Sequence, residues 1–483
     1  MKEIKWAKFA ICLGISMITW FSFDFNGHET IVSNTAFSAM LLASLWISES
    51  INIYITSLLP LLLFPLMGIM DIKDVAPQYT QQIIFLFIGG FLMAYALEKV
   101  NLHKRMALWL ILKLGSSPQR ILLSFMLSAY VLSMWIVNTA TTIMLLPAAL
   151  SVIKEIKKQN TGESKIEIAI LLGIAYSASI GGTATIIGTA PNSYFLQFFN
   201  DNFQSFPPIT FTSWLSVAFP ISLVLFVSAY FLFTLLFIRK QEINVDLGFC
   251  RKSYNELGKF SIDELKVSIV FIISILLWLF RKDINTPLFS IGGWSKLEWI
   301  PQGSFLTDSS VAMLAAITLF LIPTSKNRKT GIIEWKDVQK LPLGILFLFG
   351  AGFALAKSFD ISGLSEIIAN ELNTLGNLDP VIIVLCLCVF MTFFTEITSN
   401  TASTMLLLPV LSIMVKNNGL DPLQILLPVT LSASFAFMLP VATPPNTVVF
   451  GTELIPIKSM IRYGFWLNLM GIVIVSILSY FLI

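Results

Sequence analysis

The chain has 483 residues, of which 56% are hydrophobic and only 12% charged. Soluble domains carry about 25% charged residues, so this composition excludes a soluble enzyme, a disordered chain and a disulfide-rich secreted module, and leaves an all-α polytopic membrane protein. A net charge of +3 is too small to point to nucleic acid.

A spanning helix needs about 20 mostly apolar residues. In chain order, such stretches lie near residues 5–23, 31–48, 51–70 and 83–98. The first follows a basic start, as in a signal peptide, but no small-residue cleavage site follows, so a retained helix is expected. The fourth is expected to continue past Lys99 and His103 into 106–114. Residues 119–152 read as two shorter apolar runs around a polar tip, Val137-Asn138-Thr139. Runs that short suggest a re-entrant hairpin.

The stretch at 165–200 is interrupted by Gly181-Gly182-Thr183 and by Gly188-Thr189-Ala190-Pro191-Asn192. Proline removes a backbone donor and disfavours helix in the residue before it, so a helix break is expected. Spans near 208–238, 262–281, 308–323 and 341–358 follow, with Asp263 and Glu264 at a helix start. A second hairpin pattern fills 379–415, with Ser399-Asn400-Thr401 at its tip. A second broken stretch, 424–452, holds Ala442-Thr443-Pro444-Pro445-Asn446, and the last span is 461–483. The expectation is about 11 transmembrane helices plus two re-entrant hairpins.

Cytoplasmic loops concentrate Lys and Arg. With the N-terminus inside, the inner groups are Lys2, Lys5 and Lys8; Lys99, Lys104, Arg105, Lys113 and Arg120; Lys154, Lys157, Lys158 and Lys165. Arg239, Lys240, Arg251, Lys252, Lys259 and Lys266 follow, then Lys326, Arg328, Lys329, Lys336 and Lys340, then Lys458 and Arg462. Together these are 25 of the 31 basic residues. The bias places the C-terminus outside.

The two halves of the chain match. Ile83, Phe85, Leu86, Phe87, Gly90, Phe91 and Ala94 correspond to Ile345, Phe347, Leu348, Phe349, Gly352, Phe353 and Ala356, at an offset of 262. The same offset pairs Asn138, Thr139, Ala140, Thr142 and Pro147 with Asn400, Thr401, Ala402, Thr404 and Pro409. Thr189, Pro191 and Asn192 pair with Thr443, Pro445 and Asn446 at an offset of 254. The basic cluster follows the Gly90 segment but precedes the Gly352 segment, so the repeats are inverted. Inverted repeats with broken helices place a substrate site near the bilayer midplane.

Each hairpin tip starts a half-helix, whose free N–H groups and partial positive charge suit an anion. Asn and Thr also glue ordinary membrane helices together. Two matching copies at two tips favour a site. The breaks free backbone carbonyls that suit hard cations. Glu396 lies four residues before Asn400. It is either a functional acid or a hydrogen-bond partner of the tip backbone. Cys12, Cys250, Cys386 and Cys388 show no ligand spacing, and His28 and His103 stand apart in sequence, so no metal cluster or disulfide framework is expected.

The paired Asn-Thr tips, the two proline-containing breaks and the run from Ser434 through Phe437, Pro440, Val441, Ala442, Asn446, Val448 and Val449 resemble the divalent anion/sodium symporter family, the INDY-type dicarboxylate transporters. The resemblance covers the whole chain. It implies a homodimeric elevator-type transporter in the plasma membrane, with no enzymatic activity and no cofactor beyond sodium ions. Its scaffold would comprise 1–118 and 208–378. Its transport domain would comprise 119–207, 379–457 and the terminal helix 458–483.

Carried over residue by residue, the resemblance implies substrate contacts at Asn138, Thr139, Ser399, Asn400, Thr401, Thr443 and Pro444. It implies one sodium site at Ser133, Asn138 and Gly188, and a second at Thr395, Thr398, Asn400 and Ala442. The substrates implied are C4 and C5 dicarboxylates such as succinate, malate, fumarate and 2-oxoglutarate. The family tip is Ser-Asn-Thr in both copies, whereas the first tip here carries Val137. Valine offers no side-chain oxygen. That departure favours a dicarboxylate exchanger. The alternatives are a sodium-coupled dicarboxylate or citrate symporter, or a sulfate carrier.

Overall fold

The computed structural model describes residues 4–483 except 26, 160–165, 239–245, 286–289, 299, 301, 326–327 and 373–378. Among the basic residues above, Lys2, Lys165, Arg239, Lys240 and Lys326 lie outside the described residues.

The chain begins with α1 (Trp6–Phe25), α2 (Thr30–Ser48) and two short helices, α3 (Ile53–Thr56) and α4 (Leu59–Leu66). A short α5 (Ile72–Val75) leads to α6 (Gln82–Lys99) and α7 (Leu102–Leu114). The first hairpin is α8 (Pro118–Ser133) with α9 (Asn138–Gln159). The first broken helix is α10 (Ile166–Thr183) with α11 (Ala190–Asn202). Then come α12 (Phe211–Phe233), α13 (Gly248–Glu256), α14 (Ile262–Leu279), α15 (Asp308–Leu321), α16 (Gly344–Ser362) and α17 (Leu364–Leu372). The second hairpin is α18 (Pro380–Thr395) with α19 (Asn400–Asn417), and the second broken helix is α20 (Pro422–Ser432) with α21 (Pro444–Phe450). The last helix is α22 (Ile457–Leu482). One small β-hairpin pairs Ile284–Asn285 with Ser290–Ile291.

Among the described residues, eight helices are long and apolar enough to cross a membrane by length and composition. Shorter apolar helices, including Asp308–Leu321, Pro380–Thr395 and Pro422–Ser432, accompany them. The helix starts follow local chemistry. Proline occupies the first turn of α8, α18 and α20, where its missing N–H costs nothing. Asp379 and Asp421 cap α18 and α20 through their carboxylates. Ser261 and Glu264 form a capping box at α14, as the acidic pair at that helix start suggested. Glu264 also accepts from Arg105 Nε at 2.5 Å, which ties α14 to α7.

Two expectations need correction. The helix at 83–98 does not continue into 106–114. It ends at Lys99 because Asn101 is left-handed, at φ 60° and ψ 18°, a conformation no continuous α-helix accommodates. Gly363 (φ 77°) separates α16 from α17 at the same offset of 262, so the break belongs to the repeat. The second arm of the first hairpin is also longer than a short run. The helix α9 has 22 residues, because its last turns carry Lys154, Glu155 and Lys157 beyond the apolar part.

The repeats interlock. The helix α21 of the second repeat packs on α9 and α10 of the first, while α11 of the first packs on α19 and α20 of the second. This exchange packs each broken helix against the hairpin of the other repeat. The helix α10 is apolar on all sides and buried along its whole length among α8, α9, α12 and α21. On the other flank, α6 packs along α15, and α15 along α14. The helix α12 packs on α10 and α22.

Candidate functional site

Each hairpin turns through four residues after its first arm. Ser133 ends α8, and its Oγ donates to Asn138 Oδ1 at 2.5 Å, across the turn to the first residue of α9. Thr395 ends α18, and its Oγ1 lies 2.7 Å from Asn400 Oδ1, the first residue of α19. Ser133 and Thr395 are themselves 262 apart, so one side-chain bond closes both tips. Thr142 Oγ1 donates to Asn138 O at 2.8 Å, and Thr404 Oγ1 to Asn400 O at 2.9 Å, again in register. The two asparagine side chains are thereby fixed at the two helix N-termini.

The breaks repeat as faithfully. Asn192 Nδ2 donates to the carbonyls of Gly182 (3.1 Å), Thr183 (3.3 Å) and Thr185 (2.7 Å). Asn446 Nδ2 donates to those of Ala436 (3.0 Å) and Leu439 (3.1 Å), the positions 254 further on from Gly182 and Thr185. Ser193 Oγ reaches Ile186 O at 2.6 Å, and Thr447 Oγ1 reaches Pro440 O at 2.7 Å. Unwound backbone survives at membrane depth only if its polar groups find such partners. Asn446→Ala leaves the buried Ala436 carbonyl without that donor, while Leu439 O keeps Ala442 N at 3.2 Å. It is expected to lower stability by about 1–3 kcal/mol for that orphaned group, read as a fall in Tm of the purified protein.

The first set of expected cation ligands is brought together. Asn138 lies against Gly182, where a Cβ would stand 2.6 Å from Asn138 Oδ1. Gly188 lies over the same residue, its own added Cβ only 2.3 Å from Gly182 O. In the second set, Thr395 Oγ1 also lies 2.9 Å from Ala433 O. Three oxygens thus share one hydroxyl proton. Thr398 bonds Ser403 Oγ and, at 3.0 Å, Phe394 O. Ala442 donates to Leu439 O at 3.2 Å, a bond within its own loop. Several buried oxygens around the breaks have no hydrogen-bond partner among the described residues: Thr189 Oγ1, Asn192 Oδ1, Ser434 Oγ and Asn446 Oδ1. An oxygen-rich, donor-poor set is what a hard cation accepts.

The substrate candidates divide. Asn138, Thr139, Ser399, Asn400 and Thr401 are all half-buried at the tips. Ser399 makes no side-chain cap bond, so its hydroxyl is not committed to its helix. Val137 and Ile397 beside them are exposed, as is Val441 in the second break. Thr443 is buried and accepts from Asn446 N at 3.3 Å, which makes it a helix cap. Pro444 is exposed next to it.

The sodium:sulfate symporter transmembrane-region family model matches residues 3–482. The chain belongs to this family, the divalent anion/sodium symporters. It is therefore a membrane transporter and not an enzyme. The sodium-dependent dicarboxylate transporter SdcS of Staphylococcus saprophyticus is 38% identical over 453 residues, covering 92% of this chain and 84% of that one. SdcS of Staphylococcus aureus is 36% identical over 461 residues, covering 91% and 84%. Two solved transporters share the fold at low identity. The YdaH transporter of Alcanivorax borkumensis superimposes with a TM-score of 0.58 at 13% identity, covering 94% of this chain and 98% of its own. MtrF of Neisseria gonorrhoeae gives 0.58 at 12%, covering 84% and 82%.

In this transporter the structure resolves the role of Glu396. Its Oε1 accepts from Met438 N (2.8 Å) and Asn468 Nδ2 (2.7 Å), and its Oε2 from Leu439 N (3.0 Å). The buried carboxylate pins the second tip to the second break. The equivalent position in the first repeat is Met134, where the tie runs instead from Thr185 Oγ1 to the Met134 carbonyl at 2.5 Å. Glutamine at 396 would turn one amide donor toward those N–H groups. Glu396→Gln is expected to cost about 1–3 kcal/mol, seen as a lowered Tm together with reduced uptake. Sequence reading passed over Asn468 and Thr185. A lone Asn inside the apolar 26-residue α22 was a usable signal. Thr185 offered none, because its partner is a backbone carbonyl.

Proposed function

We propose that this transporter carries C4 and C5 dicarboxylates, such as succinate, malate, fumarate and 2-oxoglutarate, across the plasma membrane with sodium. The observation that carries this reading is the pair of asparagines, Asn138 and Asn400, held in matching geometry at two helix N-termini. Each tip offers an amide, hydroxyls and free backbone N–H groups to one carboxylate. A dicarboxylate spans the two. The SdcS relatives, by name sodium-dependent dicarboxylate transporters, support the substrate class and the coupling ion. Sodium travels here as co-substrate. Its places are the oxygen cluster at Thr395, Asn400 and Ala433 and the group around Ser133, Asn138 and Gly188.

Transport proceeds as an elevator in a homodimer. The two hairpins, the two broken helices and α22 pack together around the tips, which supports their moving as one body. The carried part then comprises 119–207 and 379–483. It also includes α12, because that helix packs on α10 and α22. The scaffold is 1–118 with the rest of 208–378. The N-terminus is cytoplasmic and the C-terminus extracellular, as the distribution of Lys and Arg supports.

A second reading, exchange of one dicarboxylate for another without sodium, rests on Val137, which gives the first site no side-chain oxygen. Counterflow in proteoliposomes separates the two. Labelled succinate entering empty vesicles under a sodium gradient is the expected result. Entry that requires internal dicarboxylate and ignores sodium would establish exchange. Uptake of sulfate that succinate does not compete would overturn the substrate class.

A further inference from the structure

A cavity of about 310 Å³ lies away from the tips, between α11 and the opposite flank. Its walls are the last turns of α11 (Gln197, Asn200, Asp201), the start of α6 (Gln82) and the turn just after α14 (Arg281, Lys282). Asp308 closes it, at the start of α15. In the proposed orientation it sits at the outer face.

The charges in this cavity are sorted. Arg281 Nε donates to Asp308 Oδ1 at 2.5 Å, and Asp308 Oδ2 accepts from Phe211 N at 2.9 Å, so that pair is buried and neutral. Two charged groups remain on separate elements. Lys282 makes no ion pair among the described residues, and burial together with the neighbouring Arg281 pushes its ammonium pKa down. Among the described residues the Asp201 carboxylate accepts only from the amide of Gln197, at 2.9 Å on Oδ1. Lys282, just after α14, and Asp201, on α11, thus line one cavity with opposite charges and no ion pair among the described residues. The cavity as a whole has room for about ten waters at roughly 30 Å³ each.

We propose that this cavity binds a small zwitterion, an α-amino acid whose carboxylate meets Lys282 and whose ammonium meets Asp201. A simple anion leaves Asp201 unmatched, and a simple cation leaves Lys282 unmatched. Such a ligand bridges an element of the carried part and an element of the scaffold. The two are already joined there, since Ile83 N donates to Gln197 Oε1 at 3.3 Å. The other end of α11 is the Asn192 break, nine residues or about 14 Å away along the helix. A zwitterion in the cavity therefore holds α11 against α6 and α14 and arrests the carrier in this conformation. The binding site stands by itself, while the arrest rests on the transport reading above.

The probe is external L-alanine, with propionate and ethylamine as single-charge controls, applied to the full-length transporter and to Lys282→Met and Asp201→Asn. A ligand that binds only the folded state raises Tm. L-Alanine is expected to raise the Tm of the purified protein and to lower the Vmax of succinate uptake in cells without changing KM. Both effects are expected to vanish in either variant and with either control compound. No Tm rise, or a rise that persists in both variants, overturns the site. An equal rise with propionate overturns the zwitterion. A Tm rise with unchanged Vmax overturns the arrest, and a raised KM insensitive to Lys282→Met would place L-alanine at the tips instead.

Discussion

Asn400→Ala is expected to abolish most uptake while the protein still folds, inserts and assembles. The side chain stands at the first residue of α19, half-buried, with Oδ1 held by Thr395. Its remaining amide is available to a substrate carboxylate. A hydrogen bond to a charged group contributes about 1.5–3 kcal/mol, so its loss lowers uptake by about 10–100-fold. The fold survives because Thr395 still has Ala433 O at 2.9 Å to receive its proton, and because the Thr404 bond goes to the backbone of residue 400. Thr401→Ala acts in the same direction with an intact Asn400. Labelled-succinate uptake, normalised to the amount of folded protein, measures both. Normal uptake in the two variants would sink the assignment of the site to the tips.

Gly182→Ala is expected to have a comparable effect by a different route. An added methyl would meet Asn138 Oδ1 at 2.6 Å, Asn138 Nδ2 at 3.0 Å and Thr189 Cγ2 at 2.7 Å. Something must move, and the asparagine amide is the most movable of these groups. Asn138 is then driven from the position in which Ser133 holds it, and the first tip loses its shape. Overpacking of this kind costs about 1–3 kcal/mol, so Tm falls modestly while uptake falls to that of Asn138→Ala. Gly14→Ala is the control, since its added methyl meets nothing within 4 Å. Full uptake by Gly182→Ala would show that the contact between Asn138 and the first break does not matter for transport.

Much of this arrangement was legible in the sequence. Spans announce themselves because a bilayer demands long apolar runs. The hairpin tips and breaks stood out because Asn, Pro and Gly at membrane depth must have a reason. Internal repetition then turned single weak motifs into pairs at fixed offsets, and the structure closes the paired asparagines with matching bonds, Ser133 to Asn138 and Thr395 to Asn400. Elements that depend on one backbone conformation were less legible. The left-handed turn at Asn101 ends α6 within an apolar pattern that runs on into α7. For Thr443, a substrate contact implied by the resemblance, the structure adds that its hydroxyl accepts from Asn446 N at the start of α21.

By itself, then, the sequence determined that this protein is a membrane-spanning transporter with duplicated halves, and which residues stand at the tips and breaks. Hydropathy, charge bias and repetition are properties of the linear chain, so they can be read from it. Only the tertiary structure decided what each polar side chain does once buried. It gave Glu396 to the backbone of Met438 and Leu439. It set α21 against α9 and α11 against α19, and it left Lys282 and Asp201 on separate elements around one cavity. A buried polar group takes whichever partner the packing brings within about 3 Å, and in these cases that partner lies tens to hundreds of residues away along the chain.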